Sequence, residues 1–166
     1  MLFRSFYPTS GGQPHDIGTL GDARVVDVQD DEDGAVVHLV EGPCPTVGAH
    51  VHGAIDWPRR VDHMQQHTGQ HLLSAVIEHT HAARTVSFHL GTESSTIDID
   101  RELTAAQIAQ VEHLVNQAVW DDVPVSVRYA SEDEARLLPL RKESARTGTL
   151  RLVGIDGHDL SACGGT

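Results

Sequence analysis

The sequence has 166 residues, and its 39% hydrophobic and 22% charged content is that of a folded globular protein rather than a disordered one. Its formal net charge of -12 argues against a protein that binds any nucleic acid without sequence preference, because such proteins are usually basic. It lacks both a signal-peptide pattern and an apolar run near the roughly 20 residues of a membrane helix, so we expect a soluble, cytoplasmic protein without a membrane segment.

Residues 1–58 are predicted to form a small β-rich subdomain. Glycines and prolines punctuate residues 6–20, a composition typical of turns. Residues 23–29 and 35–40 flank a polar, glycine-containing loop and predict a hairpin. Residues 47–57 alternate small or apolar with polar side chains and predict a third strand. We expect these strands to form a β-barrel-like subdomain.

The remaining residues, 59–166, are predicted to form an α+β core. Apolar residues at helical spacing predict a long helix over 59–81. Two capping boxes predict the starts of two further helices, Thr104 with Gln107 and Ser131 with Glu134. Strands are predicted at 84–91, 94–100, 124–130 and 149–155, and a loop is predicted around Cys163. The expected fold is α+β, with a mostly antiparallel sheet packed on the long helix.

Three histidines repeat at intervals of four in the stretch HMQQHTGQH of the predicted long helix. His63, His67 and His71 therefore share one helical face, and two imidazoles one turn apart can bind a single metal ion. The chain has twelve histidines, so about one such pair is expected by chance, and a helix face without metal also fits. Gly69 costs about 1 kcal/mol relative to alanine inside a helix, which indicates close packing or a site there.

Cys163 is the candidate third ligand. Two glycines follow it, and a thiolate in such a loop can approach a metal without steric hindrance. Two histidines and one cysteine suit Zn²⁺, with a fourth position for water or another ligand. The alternative is that Cys163 is a small buried apolar residue. Cys44 is the other cysteine of the sequence, so no disulfide framework is predicted.

Three motifs in order give the sequence a family resemblance. HTGQH followed by LLSAV, together with CGGT, resembles the alanyl-tRNA editing proteins, which are free-standing relatives of the alanyl-tRNA synthetase editing domain. The threonyl-tRNA synthetase editing domain carries the same type of motif. FYPTSGGQPHDIGTL matches the glycine-rich motif that precedes the editing core in the longer members, and GAIDWPRRVDHMQQ also fits. The resemblance covers nearly the whole chain.

The resemblance implies hydrolysis, in trans, of the ester that joins a wrong amino acid, serine or glycine, to alanine tRNA. It implies zinc ligands at His67, His71 and Cys163. The family's last motif continues with one more histidine after Gly-Gly-Thr, a position that this sequence does not contain. We therefore expect a fourth ligand beyond Thr166 and a chain that is truncated at its C-terminus.

Other polar residues are candidates for the chemistry. Gln70 and Gln13 are candidates for orienting the aminoacyl group, although either fits a solvated amide equally well. In the predicted strand 84–91, alternation places Ser87 and His89 on one face. In the family this strand lines the amino-acid pocket, so we expect Ser87 or His89 to contact a serine hydroxyl, the alternative being ordinary sheet residues. The resemblance also suggests that Gly11 and Gly12 let the backbone approach the site or the tRNA 3′ end.

A basic stretch is the candidate contact with tRNA. It carries five cations and one acid, Glu143, and five cations can neutralise phosphates despite an acidic total. A solvated face is the alternative. Arg141 and Arg146 are the principal predicted contacts among these cations, which are Arg136, Arg141, Lys142, Arg146 and Arg151.

Two other functions compete with the zinc-dependent deacylase. One is a non-catalytic, zinc-stabilised tRNA-binding module, and the other is a metal hydrolase that acts on small esters without tRNA. No obligatory protein partner is evident from the sequence. The preference for serine or glycine, the recognition of tRNA identity and the oligomeric state do not follow from it.

Overall fold

The computed structural model describes residues 6–142 and 148–166. Within that part of the chain the fold is mixed α and β, as expected. The elements are, in order, β1 (Gly18–Leu20), β2 (Ala23–Asp30), β3 (Val36–Glu41), β4 (Gly53–Ile55), α1 (Trp57–His81), β5 (Thr85–Leu90), β6 (Ser95–Ile99), α2 (Ala105–Trp120), β7 (Val125–Ala130), α3 (Glu132–Arg136), β8 (Leu150–Ile155) and β9 (Asp159–Ala162).

The first four strands form an antiparallel sheet in the order β3-β2-β1-β4. The predicted hairpin over 23–40 is confirmed as β2 and β3, which pair from Arg24 with Glu41 to Asp30 with Val36. Ala23, Val25 and Val28 are the buried residues of β2, whose register shifts between Val25 and Asp27, and Val25 and Val28 pack around the buried Phe6. This apolar cluster holds the sheet together because its side chains leave water on folding.

Helix α1 begins where the sequence supplies a cap. The Asp56 carboxylate accepts a hydrogen bond from the Arg59 backbone N–H (3.1 Å), which satisfies one of the unpaired donors of the first turn. Pro58 fits this first turn, where its missing N–H costs nothing. After His81 the chain leaves the helix through Ala82, whose positive φ of 49° ends the helical path. The predicted helix over 59–81 is thus confirmed.

The rest of the described chain forms two smaller sheets and two capped helices. Strands β5 and β6 pair with each other, and β7, β8 and β9 form an antiparallel sheet. Both predicted capping boxes are confirmed: each hydroxyl accepts the N3 backbone N–H while the N3 side chain accepts the cap N–H. Helix α3 ends at Arg136.

Two compact units make up the chain. The first consists of residues 1–67, 89–96 and 165–166, and its core is the cluster around Phe6. The second consists of residues 68–88 and 97–164, and its main core contains Leu72, Val76 and Val111. The division falls inside α1, after His67. A domain boundary at 58/59 stays a prediction.

Several local expectations differ from the structure. Among the described residues the first sheet is open, with β3 and β4 as its edges, so a closed barrel is not confirmed. The third strand is shorter than 47–57, because Gly48 adopts a φ of 82° in a turn and Val47 is fully exposed. β1 lies in a stretch where turns were predicted, and β9 replaces the loop expected before Cys163.

Gly69 does not serve close packing. It is exposed, and a Cβ placed on it would meet nothing within 4 Å, so this part of the expectation was wrong. None of the helices in the described ranges is both long enough and apolar enough to cross a membrane.

Candidate metal centre

His67 is buried and held by the side-chain amide of Gln13. Its Nδ1 lies 2.8 Å from Gln13 Oε1, and the Thr166 hydroxyl donates to the same oxygen at 3.0 Å. With Oε1 as the acceptor, this contact favours the tautomer that carries the imidazole proton on Nδ1. A histidine whose Nδ1–H donates to an oxygen binds a metal through Nε2. The environment of His67 is therefore that of a metal ligand with its tautomer fixed.

A two-residue turn directs Gln13 toward His67. Ser10 and Gln13 exchange both backbone hydrogen bonds, at 3.1 and 3.0 Å, across Gly11 and Gly12. Both glycines have positive φ, 57° and 82°, which a side chain would disfavour. The Gly12 carbonyl accepts a hydrogen bond from Leu90 N–H (2.8 Å). The glycine-rich motif thus fixes the backbone from which the Gln13 side chain leaves.

The same glycine-rich segment is anchored to the start of helix α1. Asp16 is fully buried and accepts hydrogen bonds from the Arg60 guanidinium, whose Nε lies 3.0 and 3.1 Å from its two oxygens. The Arg59 guanidinium donates to the His15 carbonyl at 3.1 Å. A buried carboxylate needs such a partner, because an unpaired charge in the interior is costly. These contacts hold the loop on the helix that carries His67.

His71 has a different support, a buried carboxylate. Its Nδ1 lies 2.9 Å from Asp159 Oδ2, and the Asp159 side chain is fully buried. Burial opposes protonation of His71, but hydrogen bonds with Asp159 and with the Cys163 thiol outweigh it and raise the pKa of the imidazole. A carboxylate behind a histidine is a recurrent arrangement in zinc sites, because it orients the ring and increases its basicity.

Asp159 is itself held by two further groups. Arg141 donates from Nε to Oδ1 at 2.7 Å and from a terminal nitrogen to Oδ2 at 3.2 Å, and Ser161 donates at 2.9 Å. Burial would raise the pKa of Asp159, but the hydrogen bonds from His71 and Arg141 prevail and lower it to about 2. The carboxylate is therefore ionised and saturated with donors.

The Cys163 thiol completes a cluster with the two histidines. One ligand atom from each of His67, His71 and Cys163 lies within 4.8 Å of the others. Both histidines extend from the same continuous helix one turn apart, as their spacing predicts. Two imidazole nitrogens and a thiolate sulfur, with both Nδ1 atoms engaged by oxygen acceptors, form a donor set that suits zinc. The cluster could therefore hold a metal ion.

Comparison with known proteins finds relatives of the sequence among alanyl-tRNA editing proteins. The chain is 41% identical to the mouse (Mus musculus) alanyl-tRNA editing protein Aarsd1 over 165 residues, which is 96% of this chain and 39% of the relative. It is 34% identical to the alanyl-tRNA editing protein AlaX-L of Pyrococcus horikoshii over 97% of this chain and 42% of the relative. The chain is related to the alanyl-tRNA editing proteins. The resemblance inferred from the three motifs is thus confirmed.

A synthetase is similar to the same region. The alanine–tRNA ligase of Pyrobaculum neutrophilum is 39% identical over 183 aligned residues, which cover 98% of this chain and 20% of the ligase. The chain spans about two fifths of the length of the editing proteins it matches. No family model matches it.

The three candidate catalytic side chains of this chain lie in different surroundings. Gln70 is half-buried on α1, and its amide donates to the Ser74 hydroxyl at 2.6 Å. Ser87 is exposed on β5 and donates to Asp98, and His89 is exposed on the same strand. Strand alternation places Ser87 and His89 on one face, as predicted. Their contact with an aminoacyl group stays a prediction.

The cations of the basic stretch are divided between surface and interior. Arg141 is largely buried against Asp159, so its charge is neutralised inside the protein. Arg151 donates to the Cys163 carbonyl at 3.1 Å, and Arg136 pairs on the surface with Glu132 and Asp133. Lys142 is exposed, and Arg146 lies outside the described residues. The sequence has one acid within this basic stretch, but in the fold acids from outside the stretch pair with Arg136 and Arg141.

Asp159 is the important residue that the sequence interpretation missed. It lies in the stretch HDLSACGGT, where Asp159, Ser161 and Cys163 alternate along β9 and the residue after it. Alternation in a strand places side chains two apart on one face, and that face bears the His71 partner, its hydroxyl donor and the thiol. The two-residue periodicity of these side chains is a sequence signal for a strand, but an interpretation of the stretch as a loop does not use it.

Proposed function

We propose that this chain is an aminoacyl-tRNA deacylase that hydrolyses, in trans, seryl- or glycyl-tRNA(Ala), with zinc bound by His67, His71 and Cys163. The observation that carries the proposal is the buried His-His-Cys cluster, placed at the two motifs that the sequence shares with alanyl-tRNA editing proteins. Its substrate would be the ester bond between the tRNA 3′ end and the wrong amino acid.

The residues of the site have separable tasks in this proposal. His67, His71 and Cys163 bind the metal, and Gln13 and Asp159 orient the two imidazoles through their Nδ1 atoms. When bound, zinc would supply a Lewis acid for ester hydrolysis by lowering the pKa of a water molecule or by binding the substrate amine. Ester hydrolysis also needs donors for the developing oxyanion, and Gln70, the residue before His71 on α1, is the proposed donor.

Ser87 and His89 are proposed to act on the amino-acid side chain. A site that hydrogen-bonds a hydroxyl strongly rejects the analogue that lacks it, whereas an apolar pocket rejects an added hydroxyl poorly. This asymmetry explains why a separate hydrolytic centre is useful for removing serine from alanine tRNA. Both side chains are exposed on the face of β5 where such a contact can form.

The proposed partner is tRNA(Ala), and the proposed location is the cytoplasm. Lys142 is the exposed cation of the basic stretch nearest in sequence to the buried Arg141. Arg146 is retained as a proposed phosphate contact. Phosphate contacts of this kind would position the acceptor end without reading its sequence.

A non-catalytic zinc module is the second candidate, and burial is the observation that favours it. His67 and His71 are exposed by only 7% and 5%, and structural zinc sites are typically closed in this way. Such a module would bind zinc and tRNA but would release no amino acid. The two candidates therefore differ in turnover rather than in binding.

The test compares deacylation by the wild-type protein and two histidine variants of α1. We expect the wild type to hydrolyse seryl-tRNA(Ala) and to contain about one zinc per chain. His67→Ala should lose the activity and bind zinc weakly, whereas His79→Ala, an exposed histidine of the same helix, should retain both. Zinc binding with no turnover above buffer would support the non-catalytic module. Hydrolysis of seryl esters without tRNA at a comparable rate would instead indicate a small-ester hydrolase.

A further inference from the structure

The Gln13 side chain is placed as the counterpart of Asp159. Its Oε1 is 2.8 Å from His67 Nδ1, and Asp159 Oδ2 is 2.9 Å from His71 Nδ1. Each acceptor has a second donor that fixes it, the Thr166 hydroxyl for Gln13 and the Ser161 hydroxyl for Asp159. The two imidazoles thus meet equivalent geometry from an amide and from a carboxylate.

Burial separates a positioning role from direct contact with substrate. Gln13 is 0% exposed, and its Nε2 is a buried donor with no hydrogen-bond partner among the described residues. A group that binds an aminoacyl ester must be reachable, and this amide is covered. Leaving a buried donor unsatisfied is costly. Gln13 is thus fixed in a buried position at a cost in stability, and its Oε1 is the atom that acts.

The chemistry of the amide has a definite consequence for His67. Any oxygen acceptor behind an imidazole orients the ring, and a carboxylate adds a full negative charge that a neutral amide does not. Asp159 supplies a full negative charge, balanced by Arg141, but the Gln13 Oε1 carries none. The two ligand histidines therefore differ in electron donation although their geometry is alike.

We propose that Gln13 is a positioning residue that acts through His67: its carbonyl keeps the proton on Nδ1 and presents Nε2 as the ligand atom. The inference rests on the proposed metal centre. It gives the Gly11-Gly12 turn a task in the geometry of that centre, since the turn sets the direction in which Gln13 extends.

The experiment uses two variants of Gln13, whose new side chains are similar in volume to glutamine, and one control variant. Gln13→Met removes the acceptor, and Gln13→Glu keeps it and adds charge. Gln29→Met changes an exposed glutamine of β2 and serves as the matched control. Zinc affinity is measured by competition with a chromophoric chelator, and steady-state kcat and KM are measured with seryl-tRNA(Ala).

We expect Gln13→Met to weaken zinc binding by about 10–100-fold, the usual effect of removing such a partner. Gln13→Glu should bind zinc at least as tightly as the wild type, and Gln29→Met should equal it. Wild-type zinc affinity in Gln13→Met would overturn the proposal, as would a rise in KM alone, which would instead mark contact with substrate.

A second measurement covers the case in which Gln13→Met does not fold. Nitrogen-15 NMR of the metal-free wild type reports which nitrogen of His67 carries the proton, and we expect Nδ1–H. The Nε2–H tautomer would overturn the inference without any variant. A wild type that binds no zinc would contradict the proposed function, whereas the tautomer would still decide the role of Gln13.

Discussion

The two ligand histidines lie four residues apart on one helix and face an oxygen acceptor at similar distances, but their supports differ in charge and in the elements that supply them. His67 is held by a neutral amide that extends from a glycine turn and by the segment at Gly165 and Thr166. His71 is held by a charged network on a strand, in which Asp159 is bound by Arg141 and Ser161. One support depends on backbone geometry and the other on buried ionic hydrogen bonds.

This contrast indicates which kind of change each side tolerates. A backbone-defined support is sensitive to added volume, because a methyl group at the wrong place displaces the ring. An ionic support is sensitive to loss of charge, because each remaining partner is left buried and unpaired. Three substitutions test the contrast, beginning with the largest expected effect.

Asp159→Asn should cause the largest loss. Removing one member of a buried ion pair typically costs about 3–5 kcal/mol, and here Arg141 would keep only the more distant Glu78 carboxylate (3.9 Å) as an ionic partner. We expect the free energy of unfolding in urea to fall by that order and zinc affinity to fall by about 10–100-fold. Asp133→Asn, on the exposed surface of α3, is the control and should change stability by less than about 0.5 kcal/mol. Equal stability of the two variants would show that the Asp159 network is not important for the fold.

Gly165→Ala should disturb the support of His67, and it should lower stability less than Asp159→Asn does. A Cβ at this position would lie 2.4 Å from His67 Cε1 and 2.8 Å from Nδ1, so either the ring or residues 165–166 must move. The φ of Gly165 is outside the positive range, so the substitution tests contact rather than backbone strain. We expect a loss of about tenfold in zinc affinity, measured with the chelator competition, and a nearly unchanged unfolding transition. Unchanged zinc affinity would contradict the close contact.

Gly69→Ala should change the free energy of unfolding least of the three substitutions, and it should raise that free energy rather than lower it. Gly69 lies between the two ligands in sequence but on the exposed face of α1, where a Cβ meets nothing. Because glycine is less favourable than alanine in the interior of a helix, we expect alanine to raise the free energy of unfolding by about 1 kcal/mol. Thermal and urea unfolding measure this, and zinc affinity should stay at the wild-type value. Destabilisation would show that Gly69 has a packing role after all.

The sequence predicts most of this arrangement where the signal is local. The spacing of His67 and His71, the helix that bears them and the capping boxes of α2 and α3 follow from residues a few positions apart. Cys163 was identified as the distant ligand from the glycines that follow it, and the resemblance to editing proteins implied the same residue. Local patterns suffice because hydrogen bonds within a helix are set by its own sequence.

The contacts that the sequence did not predict join residues that are far apart in the chain. Asp159 lies 88 residues from His71, and Gln13 lies 54 residues from His67. Arg141 was expected at an RNA surface because its neighbours in sequence are basic, but its partner is an acid brought to it by β9. Local charge patterns do not report such pairing, which arises only when strands and helices meet.

The orphan donor of Gln13 has a consequence for how the protein can change over evolution. Substitution by glutamate removes the unsatisfied N–H but places a charge beside His67, and substitution by an apolar residue removes the acceptor that His67 uses. Glutamate thus exchanges an unsatisfied donor for a buried charge, and an apolar residue exchanges it for a lost acceptor. Neither change removes the orphan donor without a cost to stability or to the support of His67.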